Sequence, residues 1–190
     1  MSAASFYIFK REMDTIHKYE MGIVGNCSFL AYINKSADVT WMCLPRFDSS
    51  FLFGSLLDGK KGGEFSIKPS GDNFYTFQEY IRNTNILTTE FNTDDGKFRV
   101  TDFAPRFYQY DRYYRPLMLI RKIEPIEGNP FINVRCEPVG SYGAFRPEIV
   151  AGSNHIRFLN LESQVRLTTN IPLTYIVNNQ SFLLNDTCYL

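Results

Sequence analysis

The sequence predicts an all-β fold of antiparallel sheets stacked as a sandwich, on the strength of three observations. About a dozen strand-like stretches recur at near-regular spacing, with turn residues between them. Helical periodicity is almost absent along the chain. Aromatic residues make up 16% of the 190 positions, with 17 Phe and 12 Tyr, and such side chains favour pleated, half-buried surfaces. The length accommodates one large domain, and neither a low-complexity linker nor an internal repeat divides it. Residues 1–20 read as an N-terminal arm and residues 21–190 as the β domain.

From Met21 the chain reads strand, turn, strand. Cys27 to Ile33 is apolar, "NKSAD" is turn chemistry and "VTWMCL" is β-rich. Pro45 ends that strand, because its ring fixes φ and biases Leu44 to extended geometry. A short helical turn is expected near residues 50–58. Ser49 or Ser50 would cap it, Phe53, Leu56 and Leu57 would form its face, and Gly59 would end it. Strands then follow in "GEFSIKP", "NFYTFQEYI", "ILTTEFNT", "KFRVTDFA", "RPLMLIRKIEPI", "FINVRCEPV", "HIRFLNL", "VRLTTN" and "LTYIV". The clearest hairpin is "FNTDDGKFRVTDF", where Asp95-Gly96 suits the positive φ angles of a tight turn. The final stretch, "LTYIVNNQSFLLNDTCYL", reads as an apolar strand running unpaired to Leu190. Such an edge invites aggregation, so a longer parent protein is expected.

Composition narrows the function. Lys plus Arg number 20 and Asp plus Glu number 20, interspersed, which is neither the basic footprint of a nucleic-acid binder nor the cationic face of a membrane-surface helix. The apolar runs are broken well before the roughly twenty residues that a spanning helix needs. The N-terminus lacks a charged region ahead of an apolar core, so no secretory signal is read and a cytoplasmic location is expected. Cys27, Cys43, Cys136 and Cys188 lie far apart, and His17 and His155 are distant from one another. No metal and no cofactor are expected from that spacing, and the thiols read as reduced and mostly buried.

Four phrases, in this order and spacing, resemble the N-terminal domain of glycoside hydrolase family 15, in its prokaryotic glucoamylase and trehalase-like branch. They are "GIVGNCSFLAYINKSADVTWMCLPRFDSSFLFGSLLD", "GGEFSIKP", "YIRNTNILTTEFNTDDGKFRVTDFAPR" and, more loosely, "RPLMLIRKIEPIEG". The resemblance spans roughly residues 20 to 150. It implies an antiparallel β-supersandwich of the galactose-mutarotase-like kind, followed in the family by a linker helix and a catalytic α/α barrel. The barrel's two carboxylates cleave the glycosidic bond with inversion, across a gap of about 6.5–9.5 Å that holds the attacking water. No run of amphipathic helical hairpins occurs in the chain, so no catalytic residue is assigned to it. The barrel, in cis or as a separate chain, becomes the expected partner, with α-glucoside sugars as the expected ligand class.

Five residues stand out as substrate or domain-interface candidates: Arg46, Asp48, Trp41, Tyr113 and Tyr114. In "PRFDSS", the Arg46 fork and the Asp48 carboxylate have the donor and acceptor chemistry of polyol recognition. They equally suit a tight turn that pins a domain interface, with Asp48 capping the turn near Ser50. By period two, Trp41 and Cys43 share one strand face and Met42 and Leu44 the other, which reads as core packing. "YQYDRYYRP" combines the tyrosine and arginine typical of sugar sites and of interfaces, and interface is the preferred reading. Asp102 and Arg106 in "VTDFAPRF" read as a strand-end lock. Asp94-Asp95 and Glu124/Glu127 read as solvated turns rather than glycosidase pairs, because nothing apolar surrounds them to raise a pKa. The expected function is therefore a non-catalytic accessory domain. A stand-alone carbohydrate-binding or regulatory module is the alternative. A small epimerase-like enzyme is the weaker one, with His155 as its sole candidate base.

Overall fold

The computed structural model describes residues 19–190. The expected arm over residues 1–20, with His17, thus lies outside the described residues apart from Tyr19 and Glu20. Strands β1 (Met21–Gly25), β2 (Leu30–Asn34), β3 (Val39–Cys43) and β4 (Phe51–Phe53) form a meander in that order. Asn34 builds its central turn: Oδ1 accepts the backbone N–H of Ser36 and Asp38, both at 2.9 Å, which lets Ala37 adopt a φ of 56°.

Strands β5 (Glu64–Pro69), β6 (Phe74–Tyr80), β7 (Leu87–Thr93), β8 (Gly96–Phe103), β9 (Phe107–Gln109), β10 (Arg112–Tyr114), β11 (Ile120–Gly128) and β12 (Phe131–Glu137) follow. After them come β13 (Glu148–Ala151), β14 (His155–Leu159), β15 (Val165–Thr168), helix α1 (Leu173–Val177), β16 (Phe182–Leu183) and β17 (Cys188–Tyr189). They assemble as a five-stranded sheet β17-β11-β8-β7-β6, two three-stranded sheets β16-β12-β5 and β13-β14-β15, and a two-stranded ribbon β10-β9. All pairings are antiparallel.

The core lies between these sheets. Alternate residues of β7 (Leu87, Thr89, Phe91) and β8 (Phe98, Val100, Asp102) point inward. They meet Val24, Ala31, Ile33 and Met42 of the meander, and Ile67, Ile132 and Val134 of β5 and β12. Phe91 and Phe98 oppose each other in the ladder and stack at 4.5 Å, contributing about 0.5–1.5 kcal/mol beyond their burial. Polar side chains bridge the layers: Gln78 Nε2 donates to the Asn34 carbonyl at 2.8 Å, and the Tyr80 hydroxyl donates to the Ile23 carbonyl at 3.0 Å.

The all-β sandwich expected from the pattern is present, with local corrections. Phe51–Phe53 is strand, and the helical turn is confined to the segment after it, where Leu57 and Asp58 N–H both bond the Gly54 carbonyl. No cap forms at Ser50, whose hydroxyl instead accepts the Tyr142 N–H at 2.7 Å. "LTYIV", rich in strand-forming residues, is helix α1, because Pro172 presets φ at −55° and one side chain, Ile176, is buried. The "EPIEG" stretch continues β11 through a bulge at Pro125/Glu127, and the turn comes only after Gly128. "YQYDRYY" is a hairpin rather than a loop. The last strand is paired: Leu190 and Arg121 exchange both backbone bonds, at 3.0 and 3.1 Å.

Candidate functional site

A cavity of about 580 Å³ opens on the sandwich, walled by Met42, Leu52, Phe53, Phe65 and Phe158. Two of the stretches singled out in the sequence reach it. Leu44 and Pro45, directly before Arg46, line one part, and Leu117 to Ile120, a few residues after Tyr114, line another. Leu117 and Met118 are about half exposed, so their side chains sit apolar and wet at the groove. Sequence reading assigned this stretch to a strand, although β11 begins only at Ile120. An apolar run without period-two alternation, after Arg115-Pro116, was the signal available. Cys136 also lines the groove, and burial pushes its thiol up to about 12, so it stays neutral and unreactive.

Arg46 and Asp48 face each other in the loop after β3. Arg46 Nε and Nη2 each lie 3.0 Å from one Asp48 carboxylate oxygen, a bidentate fork. The side chains are 76% and 71% exposed, so water screens the pair and its contribution to stability is about 1 kcal/mol or less. Asp48 caps no helix. The loop is closed by Ser49, whose N–H bonds the Arg46 carbonyl and whose hydroxyl accepts the Arg46 N–H. Trp41 is half-buried on β3, 5.5 Å from the Phe51 ring, and packs on a satellite cluster of Cys43, Phe51 and Val139. Trp41 and Cys43 thus share a face as the period-two pattern required, while Met42 joins the main core.

Tyr113 and Tyr114 lie on β10, both exposed. Opposite residues of a ribbon share a face. Tyr113 therefore meets Tyr108 at 5.0 Å on one side, while Tyr114 stacks on Phe107 at 5.3 Å on the other. The turn is made by Tyr110 and Asp111 with φ of 51° and 56°, the positive pair of a two-residue hairpin. Asp111 is held by the Tyr108 hydroxyl at 3.1 Å. The Arg106 guanidinium lies 5.5 Å over the Tyr113 ring and reaches Cys27 Sγ at 3.4 Å. The ribbon is thus an aromatic arm with a cation at its base.

Asp102 and Arg106, read as one strand-end lock, do not act together: Arg106 turns to Tyr113 and Cys27. Asp102 pairs with Arg121, its cross-strand neighbour on β11, Nε to Oδ1 at 2.8 Å, and both side chains are fully buried. Sequence reading missed Arg121. The available signal was Asp102 itself, falling in the inward series of β8. Burial raises the Asp102 carboxyl above its ordinary range, and the Arg121 charge opposes the rise. Asp94 accepts the Asn73 amide, Glu124 pairs with Lys122, and Glu127 pairs with Lys97, which holds its carboxyl below the ordinary range. That direction is opposite to the one a glycosidase general acid needs. His155 Nδ1 lies 3.3 Å from Asn154 Oδ1. Among the described residues, no three His, Cys, Asp or Glu side chains gather as a metal site would require, and no helix is long and apolar enough to cross a membrane.

Comparison with known proteins places the chain. It is 32% identical over 154 residues to trehalase 1 of Sulfolobus acidocaldarius, covering 80% of this chain and 25% of that protein. It is 32% identical over 155 residues to the trehalase of Thermoplasma volcanium (80% and 24%), and 27% identical over 177 residues to the trehalase of Mycolicibacterium smegmatis (81% and 26%). The chain thus spans about a quarter of the length of these curated relatives. No solved structure matches it. The family described as "Trehalase-like, N-terminal" matches residues 6–174, most of the sequence and all but the last of the sheet-forming segments around the groove, and the chain belongs to that family.

Proposed function

We propose that residues 21–190 are the accessory β-sandwich of a cytoplasmic glycoside hydrolase of the family 15 type, glucoamylase-like or trehalase-like. Its full-length form hydrolyses an α-glucosidic bond, of trehalose or a maltooligosaccharide, with inversion at an α/α barrel. The domain is not catalytic. It packs on the barrel and stabilises it, and neither nucleic acid nor membrane is its partner. The observation that carries this reading is the span: a trehalase-like N-terminal family matches nearly the whole chain, while the trehalases it resembles are several times longer. Support also comes from the apolar groove, lined by Leu44 and Pro45 next to the Arg46 loop and by Leu117 to Ile120. Such exposed apolar surface commonly marks a docking face. Four free thiols suit a reducing compartment.

The exposed ring pairs of the β9–β10 ribbon favour a second reading, a carbohydrate-binding or regulatory module acting alone. One experiment separates the two. The 190-residue chain and a longer protein carrying the barrel are assayed on trehalose, maltose and maltotriose, and both are titrated with these sugars by calorimetry. Turnover confined to the longer protein, with no sugar binding by the short chain, is expected. Binding without turnover by the short chain would transfer Arg46, Asp48, Tyr113 and Tyr114 to a sugar site, and hydrolysis by it would end the accessory reading.

A further inference from the structure

The meander and the five-stranded sheet end in two outermost strands, β1 and β6, whose edges are treated differently. The β1 edge is closed. The Tyr80 hydroxyl accepts the Ile23 N–H at 2.6 Å and donates to the Ile23 carbonyl, and Asn85 Nδ2 donates to the Gly25 carbonyl at 2.7 Å. The β6 edge has no such guard among the described residues. Its register on β7 runs unbroken from Phe74↔Thr93 to Tyr80↔Leu87, and the strand contains neither Pro nor Lys. Bulges, prolines and lysines are the usual devices that keep an edge unpaired. The meander meets β6 through inner-face side chains, Gln78 on the Asn34 carbonyl and Tyr80 on Ile23, and its closest packing lies deeper in the sheet. Glycine at position 22 of β1 abuts Leu87 of β7, one strand further in, where an added Cβ would come within 2.4 Å.

Which backbone groups face outward follows from one bond. Ile81 N–H donates to the Ile86 carbonyl at 2.9 Å, just beyond the strand end. By the alternation of an antiparallel ladder, Tyr75, Phe77 and Glu79 then bond β7, and Phe74, Thr76, Gln78 and Tyr80 direct N–H and C=O away from it. Carried across the sheet through the observed registers, the same alternation requires Arg121 to bond outward from β8, as it does with Leu190. On the outer sheet face, Tyr75 and Phe77 are 68% and 56% exposed, beside Glu79.

We propose that β6 is a self-pairing edge. A second copy of this chain adds its own β6 antiparallel about a two-fold axis at Phe77, joining the two five-stranded sheets into one. This register pairs the whole strand. Thr76 bonds Gln78 of the second copy and Phe74 bonds Tyr80 of the second copy, which are the residues whose backbone groups point outward. Phe77 meets its own equivalent at a non-hydrogen-bonded position, where opposite side chains are closest. Glu79 falls opposite the Tyr75 phenol of the second copy, so no like charges face each other. That self-complementarity selects a second copy over an unrelated strand. The pairing is independent of the catalytic reading, since it uses neither the groove nor the ribbon.

The test is sedimentation equilibrium of the 190-residue chain over a concentration series, with hydrogen exchange read at each concentration. The mass doubles with concentration, and the Thr76 and Gln78 amides gain protection as it does, while Phe77, already bonded to β7, does not change. Thr76→Pro removes only an outward donor, and Phe77→Lys places two cations face to face. Both return the chain to single mass with an unchanged melting temperature at low concentration, where neither touches the folded monomer's ladder. Single-chain mass throughout, whether another segment of the same chain takes the edge or none does, overturns the proposal. A dimer that survives both substitutions, or one protected elsewhere, overturns it equally.

Discussion

Burying an ionised carboxylate or guanidinium costs several kcal/mol per ion, so the fully buried Asp102–Arg121 pair persists only because its polar atoms are bonded. Arg121 donates to Asp102, to the Phe65 carbonyl at 3.1 Å and to the Ala37 carbonyl, and its guanidinium lies 4.6 Å over the Phe65 ring. Asp102→Asn leaves that cation without its counter-charge and is expected to destabilise the chain by about 3–5 kcal/mol, read by urea denaturation. Replacing both residues with apolar ones does not restore the loss. Two backbone carbonyls then lose their donor, at roughly 1–3 kcal/mol each. Glu64 behaves oppositely. Burial works against its ionisation, but the Ser66 hydroxyl at 2.7 Å, Lys68 and Arg135 outweigh it and hold the carboxyl below 4.5. A depressed folded-state pKa stabilises the fold above the unfolded-state value and loses that contribution as pH falls through the folded one. Glu64→Gln should therefore lower the melting temperature at neutral pH and flatten its decline on the acid side of 4.5.

At the scale of elements, the β7–β8 hairpin shows how far local chemistry reaches. Its ladder with β11 ends where two glycines face each other, Gly96 with φ of 150° and Gly128 with φ of 72°. A Cβ on Gly96 would lie 2.2 Å from the Glu127 carbonyl oxygen. Gly96→Ala is expected to cost at least about 1 kcal/mol, or roughly 2–4 °C of melting temperature by calorimetry. This hairpin was legible because alternation brackets the turn residues within a dozen positions, although the turn falls at Asp94-Asp95 rather than Asp95-Gly96, with Gly96 already in the ladder opposite Thr93. The strands β2, β3, β5, β12 and β14 were legible for the same reason. Helix α1 was not: Leu173–Val177 carries strand-forming residues, and the decision is made by Pro172 and by where Ile176 packs. Nor was the β9–β10 ribbon, whose turn uses Tyr110 where a glycine or asparagine is the readable signal. Among candidate site residues, the placement of Trp41 beside Cys43 followed from period two, whereas the Arg121 partner of Asp102 depends on a register no local pattern carries.

For the whole molecule, family membership was legible because it rests on motif order, and the groove was not, because segments from Met42 to Leu190 build it. If the groove receives the barrel, its exposed floor should matter to association and not to folding. Met118→Glu is expected to leave the melting temperature of the isolated chain within about 0.5 kcal/mol of wild type. The same change in the longer protein should weaken domain docking, read as a lower thermal inactivation temperature of hydrolysis. Arg121 has a consequence at this scale too. Its partners lie on β8, on β5 and in the β2–β3 turn, separated from it by 19, 56 and 84 positions along the chain. A guanidinium can leave water only when all three arrive, so no single sheet forms a half-built state that satisfies it. Loss of any one leaves a buried guanidinium under-bonded, so the sheets it joins are expected to unfold together, read as coincident denaturation transitions by different probes.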